Sequence, residues 1–305
     1  MLRYFLVRLV HSLVVVVAVS LVAFFLVRFS GDPVALYLPL DAPESLRIEL
    51  RDQLGLDRPI HIQLWGFATH ALRGDFGESL RFAQPALPLV LERLPATFRL
   101  ALWSLLLALF LGAPLGVLGA LHRGRFLDQM GSVVTVLGQS LPAFWIGIVL
   151  ILIFGVYLRW VPVVSTTGGV PVLLPAITLS VNLMAVIARV LRSSVLDVLG
   201  ENYINTARAK GLGAFRIIAR HVMPNAALPT LTIVGIQLGA LLAGAVIVET
   251  VFGYPGMALL AVRAIRNRDL AIVQAFVVLM GVFVAAINLL VDLAYAVLDP
   301  RIRYG

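Results

Sequence analysis

Few side chains in this chain could do chemistry, and they fall in two settings. Glu249 and Asp292 stand inside long apolar runs. An ionisable group there is costly, and it marks either a translocation path or a structural hydrogen bond within a helix bundle. Asn182, Gln237 and Asn288 are neutral amides in similar runs, fit for lining a path or for joining helices. The second setting is the polar, basic segment 201–224, Glu-Asn-Tyr-Ile-Asn-Thr-Ala-Arg-Ala-Lys-Gly-Leu-Gly-Ala-Phe-Arg-Ile-Ile-Ala-Arg-His-Val-Met-Pro, which holds the only lysine, Lys210. No catalytic centre assembles from these groups. The lysine is followed by Gly211, not by Ser or Thr after a Walker-type glycine run, and Gly211-x-Gly213 is too short for a dinucleotide fingerprint. His11, His61, His70, His122 and His221 are scattered, and the absence of cysteine removes disulfides and thiolate ligands. The residues therefore predict no enzyme and no metal or cofactor bound by this chain.

Segment 201–224 reads as two short helices broken at Gly211 to Gly213, where glycine permits a turn at positive φ. In the second helix Phe215, Ile218, Ala219 and Val222 recur at i, i+3, i+4 and i+7, with Arg216 and Arg220 on another face and Pro224 as the terminator. Such a helix could seat its apolar face in a partner's groove or lie on anionic lipid. The pattern alone does not choose between them.

The elements that must position these residues are membrane spans. The 305 residues are 60% hydrophobic and only 13% charged, with mean hydropathy +0.98, whereas soluble chains carry roughly 25% charged residues. Six apolar runs are long enough to cross a bilayer, at about 9–29, 100–121, 130–158, 172–191, 228–252 and 271–298. The third is long for one span and predicts a tilt or an extension beyond the bilayer. The first, too long for a signal sequence and without a small-x-small cleavage site, predicts a retained anchor. The net charge of +8 sorts by membrane side, which argues against a nucleic-acid partner. With both termini inside, the inner segments hold Arg3, Arg8, Arg123, Arg125, Arg189, Arg192, Arg208, Lys210, Arg216, Arg220, Arg301 and Arg303 against Asp128, Asp197, Glu201 and Asp299. Arg263, Arg266 and Arg268 outside run counter to that rule.

Segment 30–99 then lies outside. Asp41-Ala-Pro-Glu44 reads as a helix N-terminus, with Leu46, Leu50 and Leu54 on one face and Gly55 as the stop. A second helix near 60–72 places Leu64, Phe67, Ala68 and Ala71 together. This segment could be a lid on the bundle or a docking surface for a solute-delivering protein. Gly235, Gly239, Ala240, Ala243 and Gly244, like Gly112 and Gly116, allow close helix approach, and Gly253-Tyr-Pro-Gly256 forces a turn.

Thr206-Ala-Arg-Ala-Lys-Gly211 followed by Met223-Pro224 resembles the cytoplasmic EAA loop of ABC-importer permeases of the dipeptide/oligopeptide/nickel family. The likeness extends through Arg28-Phe-Ser-Gly-Asp-Pro33, Arg73-Gly-Asp-Phe-Gly-Glu-Ser79, Glu92-Arg-Leu-Pro-Ala-Thr97, Ser140-Leu-Pro-Ala-Phe-Trp145, Leu191-Arg-Ser-Ser194, Val248-Glu-Thr-Val-Phe252 and Leu298-Asp-Pro-Arg-Ile302. Asn205-Thr206-Ala207 stands where the generic loop has Glu-Ala-Ala, and His221 and Met223 where Ile and Leu are usual. The resemblance implies an all-α type I permease fold of six spans, organised as an N-terminal span (1–29), an extracytoplasmic segment (30–99) and a five-helix core (100–305) with a coupling loop at 200–224. It implies a subunit of an ATP-driven importer in a bacterial inner membrane, for peptides or for a nickel chelate, glutathione or an opine. Its implied partners are a second, homologous permease, two cytoplasmic ATPases that bind the ATP and magnesium, and an extracytoplasmic solute-binding protein. Glu201, Thr206, Ala207, Arg208, Ala209, Lys210, Gly211, Phe215, Arg216, Ile218, Arg220 and Pro224 would couple to the ATPases. Glu249, Asp292, Gln237 and Asn182 are the candidates for the path. The rival class is a self-sufficient secondary transporter or channel using Glu249 or Asp292 as an ion site, and neither an inverted repeat nor discontinuous spans in matching positions are legible to support it.

Overall fold

The computed structural model of the chain describes residues 2–29, 34, 38, 42–53, 56–162 and 171–298. These are overwhelmingly helical, and the one isolated β-bridge among them joins Glu78 to Pro85. Among the described residues, five helices are long and apolar enough to cross a membrane, or six spans if one sharply bent pair counts as a crossing. Many large apolar side chains on them point outward, Leu13 (63% exposed) and Phe110 (74%) among them, the surface expected of helices solvated by lipid. The residues form two compact units, Met1–Ala96 with Gly256–Gly305, and Thr97–Pro255.

In the first unit α1 (Leu2–Phe29) packs along α12 (Leu270–Leu298). Arg8 reaches Asp292 at 3.2 Å, and a Cβ at Gly281 would stand 2.7 Å from Val19. As residue numbers rise along one helix they fall along the other, so the pair is antiparallel and its two outer ends lie on one side. Helix α2 (Glu44–Gln53) starts where Pro43 offers its carbonyl to the amides of Leu46 and Arg47. The predicted cap at Asp41 and stop at Leu54-Gly55 lie outside the described residues. Helix α3 (Ile60–Leu72) follows Pro59 as predicted, its Leu64, Phe67, Ala68 and Ala71 half-buried and Phe67 against Phe24 with ring centres 5.7 Å apart. An unpredicted helix, α11 (Met257–Arg266), buries Met257, Ala258, Leu259, Ala261 and Ala264. The arginines that made this stretch read as an outer loop leave it one narrow apolar face. Asp269, buried just before α12, accepts the Ser79 hydroxyl, tying residues 190 apart in sequence.

Helix α4 (Ala86–Leu121) begins well before the predicted span at residue 100 and carries the chain into the second unit. There Gly116 faces α7 (Leu173–Leu199) so closely that a Cβ would stand 2.6 Å from the Ala188 carbonyl, the close approach its small residues predicted. The third apolar run is not one tilted span. It is α5 (Phe126–Ser140) and α6 (Ala143–Leu150, continued by a π-helical segment Ile151–Tyr157), bent by 106°. Pro142 causes the break: it lacks an N–H, and it holds Leu141 extended at φ −82°, ψ 130°.

Past α8 (Asn202–Ala209) the chain makes α9 (Ala214–Ile217), a π-helical turn Ile218–Val222, and α10 (Met223–Phe252). These three run on as one 39-residue helical stretch from Ala214 to Phe252. The predicted pair of short helices ending at Pro224 is therefore corrected. The first is short, while the second is the start of the fifth span. Pro224 lies in the first turn of α10, directly after the π-turn, whose altered ladder absorbs the missing N–H and lets the helix pass.

Candidate functional site

The segment predicted to couple is built on one small core. Ile204 and Ala207 of α8 are buried against Leu191 and Val195 of α7, Ala120 of α4, and Ile217, Val222 and Ala226 of the long helix. Burying Ile204 fully is worth about 1.5–3 kcal/mol, enough to hold an eight-residue helix that could not persist alone. Asn225 adds a tie, donating to the Tyr203 hydroxyl (3.3 Å) and to the His221 carbonyl (2.8 Å). Neither Tyr203 nor Asn225 carried any periodic signal in the sequence.

Helix α8 ends in a Schellman turn. The Gly211 amide bonds to the Arg208 carbonyl and the Leu212 amide to that of Ala207, with Gly211 at φ +79°. Gly213, at φ −65°, needs no such freedom, so one glycine and not two makes the break.

Of the residues predicted to couple, Glu201, Thr206, Arg208, Ala209, Lys210, Gly211, Phe215, Arg216, Arg220 and Pro224 are exposed, with Phe215 85% so. Ile218 is half-buried, and Ala207 is turned into the core. The single face predicted for Phe215, Ile218, Ala219 and Val222 does not form. The π-turn puts Ile217 and Val222, five residues apart, on the inner side, leaving Phe215 and Ala219 outside.

Beside this core, Arg192 of α7 grips Asp128 of α5. Its Nε is 2.6 Å from Oδ1 and its Nη2 2.8 Å from Oδ2, while the Gly124 amide donates to Oδ2 at 2.9 Å. Asp128 is buried and Arg192 about one-third exposed.

Farther along the second unit a cavity of about 310 Å³ opens between the bend and two spans. Leu141, Pro142, Ala143 and Ile146 come from the bend, Thr178 and Asn182 from α7, and Gln237, Ala240 and Gly244 from α10. Its lining carries amides and a hydroxyl but no charged side chain. Two of the four path candidates, Asn182 and Gln237, thus line one cavity. Glu249 does not. It is completely buried, and the Thr97 hydroxyl donates to its Oε1 at 2.6 Å. Asp292 is in the first unit, paired with Arg8. Among the described residues no three His, Asp or Glu side chains gather as metal ligands would.

Comparison with known proteins bears on this arrangement. Residues 112–304 match the family model of the binding-protein-dependent transport system inner membrane component, and residues 1–101 match the model of its N-terminal part. The chain is 41% identical over 310 residues to a probable peptide ABC transporter permease, y4tP, of Sinorhizobium fredii, with 99% of each chain covered. It is 38% identical to the glutathione transport system permease GsiC of Salmonella typhimurium over the whole of both. In fold it is similar to a chain of the MetNI methionine ABC transporter in an inward-facing conformation, with TM-score 0.58, 19% identity, and coverage of 69% of this chain and 96% of that one.

Proposed function

We propose a role for each part of this chain, which belongs to the binding-protein-dependent transport system inner membrane component family. The chain is a multi-pass inner membrane protein, the permease subunit of an ABC importer of the peptide type, and not an enzyme. Peptides are the solute class, glutathione being itself a small peptide. In this reading α8 and the turn at Gly211 dock on a cytoplasmic ATPase, which binds ATP and magnesium. A second, related permease completes the pathway, and a solute-binding protein delivers the solute from outside. Both termini are cytoplasmic in this reading: the antiparallel pairing of α1 with α12 supports their lying on one side, and the excess of arginines there supports the inner one. The division into an N-terminal span, an extracytoplasmic segment to about residue 99 and a permease core is part of the same proposal.

One observation carries the docking assignment. Helix α8 is fastened to the bundle by Ile204 and Ala207, while its opposite side, the following turn and the start of α9 present Thr206, Arg208, Lys210 and Phe215 to the surroundings. A partner pressing on that outer side moves α7 and α10 with it, because the inner side shares their core. The chain has no cysteine, so the test is direct. Cysteines at Thr206, Arg208 and Phe215 should cross-link to the ATPase in the assembled importer, and one at Ile204 should not. Failure of all three exposed positions to cross-link would replace docking with a helix lying on lipid.

Asn182 and Gln237 are assigned to the solute path, because amides can both donate to and accept from a peptide backbone. Glu249 is assigned to holding α4 and α10 together. The rival secondary transporter loses its ion sites in this reading, since Glu249 is bonded within the packed bundle and Asp292 is neutralised by Arg8.

A further inference from the structure

The docking surface and the solute cavity lie at different levels of the second unit, and one polar link between them remains without a role: Arg192 with Asp128. Arg192 follows Leu191, which packs in the core that holds α8. Asp128 opens α5, whose far end is the Pro142 bend lining the solute cavity. From Asp128 to Ser140, the last residue of α5, is 12 residues, a rod of about 18 Å at 1.5 Å per residue. Close packing also joins α5 to α7 near the bend, where a Cβ at Gly138 would stand 3.1 Å from Ala185. At the Asp128 end the helices instead flank a second cavity of about 300 Å³, lined by Leu115, Gly119, Ser132 and Arg189 among others. The ion pair therefore bridges a gap that side-chain packing leaves open. Its form suits the transfer of motion. Two parallel N–H···O bonds resist twisting as well as separation, and the Gly124 amide fixes the carboxylate from the other side.

We propose that Arg192 and Asp128 are a positioning pair that carries displacement of α8 into the broken span, turning α5 as a rod so that the Pro142 bend and α6 move against the solute cavity. The proposal rests on the docking of α8 to the ATPase. The pair touches no solute and acts only through the helices it joins.

The test uses the assembled importer in nanodiscs, with an environment-sensitive fluorophore on a single cysteine at Asn202 (the first residue of α8, outside the residues assigned to docking) or at Phe144 (on α6), both exposed. Addition of ATP with vanadate should shift the emission of both labels in the parent chain. In Asp128→Asn the Asn202 shift should remain while the Phe144 shift falls at least fivefold. The exchanged pair, Asp128→Arg with Arg192→Asp, should restore it. If Asp128→Asn does not assemble, Arg192→Lys, which keeps the charge but loses the two-point grip, should show the same separation of the labels. Persistence of the Phe144 shift without the grip, or its failure to return in the exchanged pair, overturns the inference. An unmoved Asn202 label in the parent chain would overturn the docking reading, and this one with it.

Discussion

Replacing Gly211 by valine tests the coupling segment at its most constrained point. Gly211 sits at φ +79°, in the left-handed region, and closes the Schellman turn that ends α8. No atom lies within 4 Å of where its Cβ would be, so the cost is backbone strain alone and not a clash. A β-branched residue held there costs about 1–3 kcal/mol, or roughly a 5- to 150-fold drop in the equilibrium constant for forming the turn, at about 1.4 kcal/mol per factor of ten. The six apolar runs are untouched, so insertion and assembly with a sister permease should continue. Affinity for the ATPase should fall by that factor, and solute-stimulated ATP hydrolysis with it, measured by titrating ATPase onto nanodisc-held permease. Gly213→Ala is the matched control. Gly213 lies at φ −65° with open space around its Cβ position, so this variant should bind the ATPase within about twofold of the parent, well under 1 kcal/mol. Wild-type ATPase binding by Gly211→Val would refute the claim that this turn seats the loop, and equal losses in both variants would refute the assignment of the break to one glycine.

The path assignment predicts that Asn182→Leu and Gln237→Leu lower peptide uptake several-fold with normal assembly, read by radiolabelled dipeptide transport into proteoliposomes. Glu249→Leu should instead reduce the yield of folded protein, since it removes the buried hydrogen bond that the Thr97 hydroxyl gives the carboxylate, at a cost of about 0.5–3 kcal/mol, and size-exclusion profiles would record this. Gly116→Val should lower the melting temperature of the detergent-solubilised protein, because its side chain must displace the α7 backbone at Ala188, an overpacking worth about 1–3 kcal/mol. For topology, a cysteine at Ser45 should react with an impermeant maleimide added to spheroplasts, and one at Thr206 only in inverted vesicles.

Much of the architecture is written in local sequence. Apolar runs of bilayer length name their own spans, since hydrocarbon leaves a backbone little choice but helix. The break at Gly211 and the start of α3 after Pro59 are likewise local events, governed by one residue's allowed angles. Proline was read less well, because its effect depends on what surrounds it. Pro142 bends a span by 106°, whereas Pro224 is passed without a stop because the preceding π-turn accommodates it. That π-turn also changes the helical period, so a face laid out on the 3.6-residue repeat was assigned to the wrong side at Val222. The family was legible in motifs whose order survives along the whole chain. What only the tertiary structure decided is which polar groups meet. Thr97 with Glu249, Asp128 with Arg192, Ser79 with Asp269 and Arg8 with Asp292 join residues 64 to 284 positions apart. An isolated carboxylate in an apolar run looks the same in sequence whether it lines a path or is bonded inside the bundle. The difference is made by a partner side chain that folding alone brings within about 3 Å.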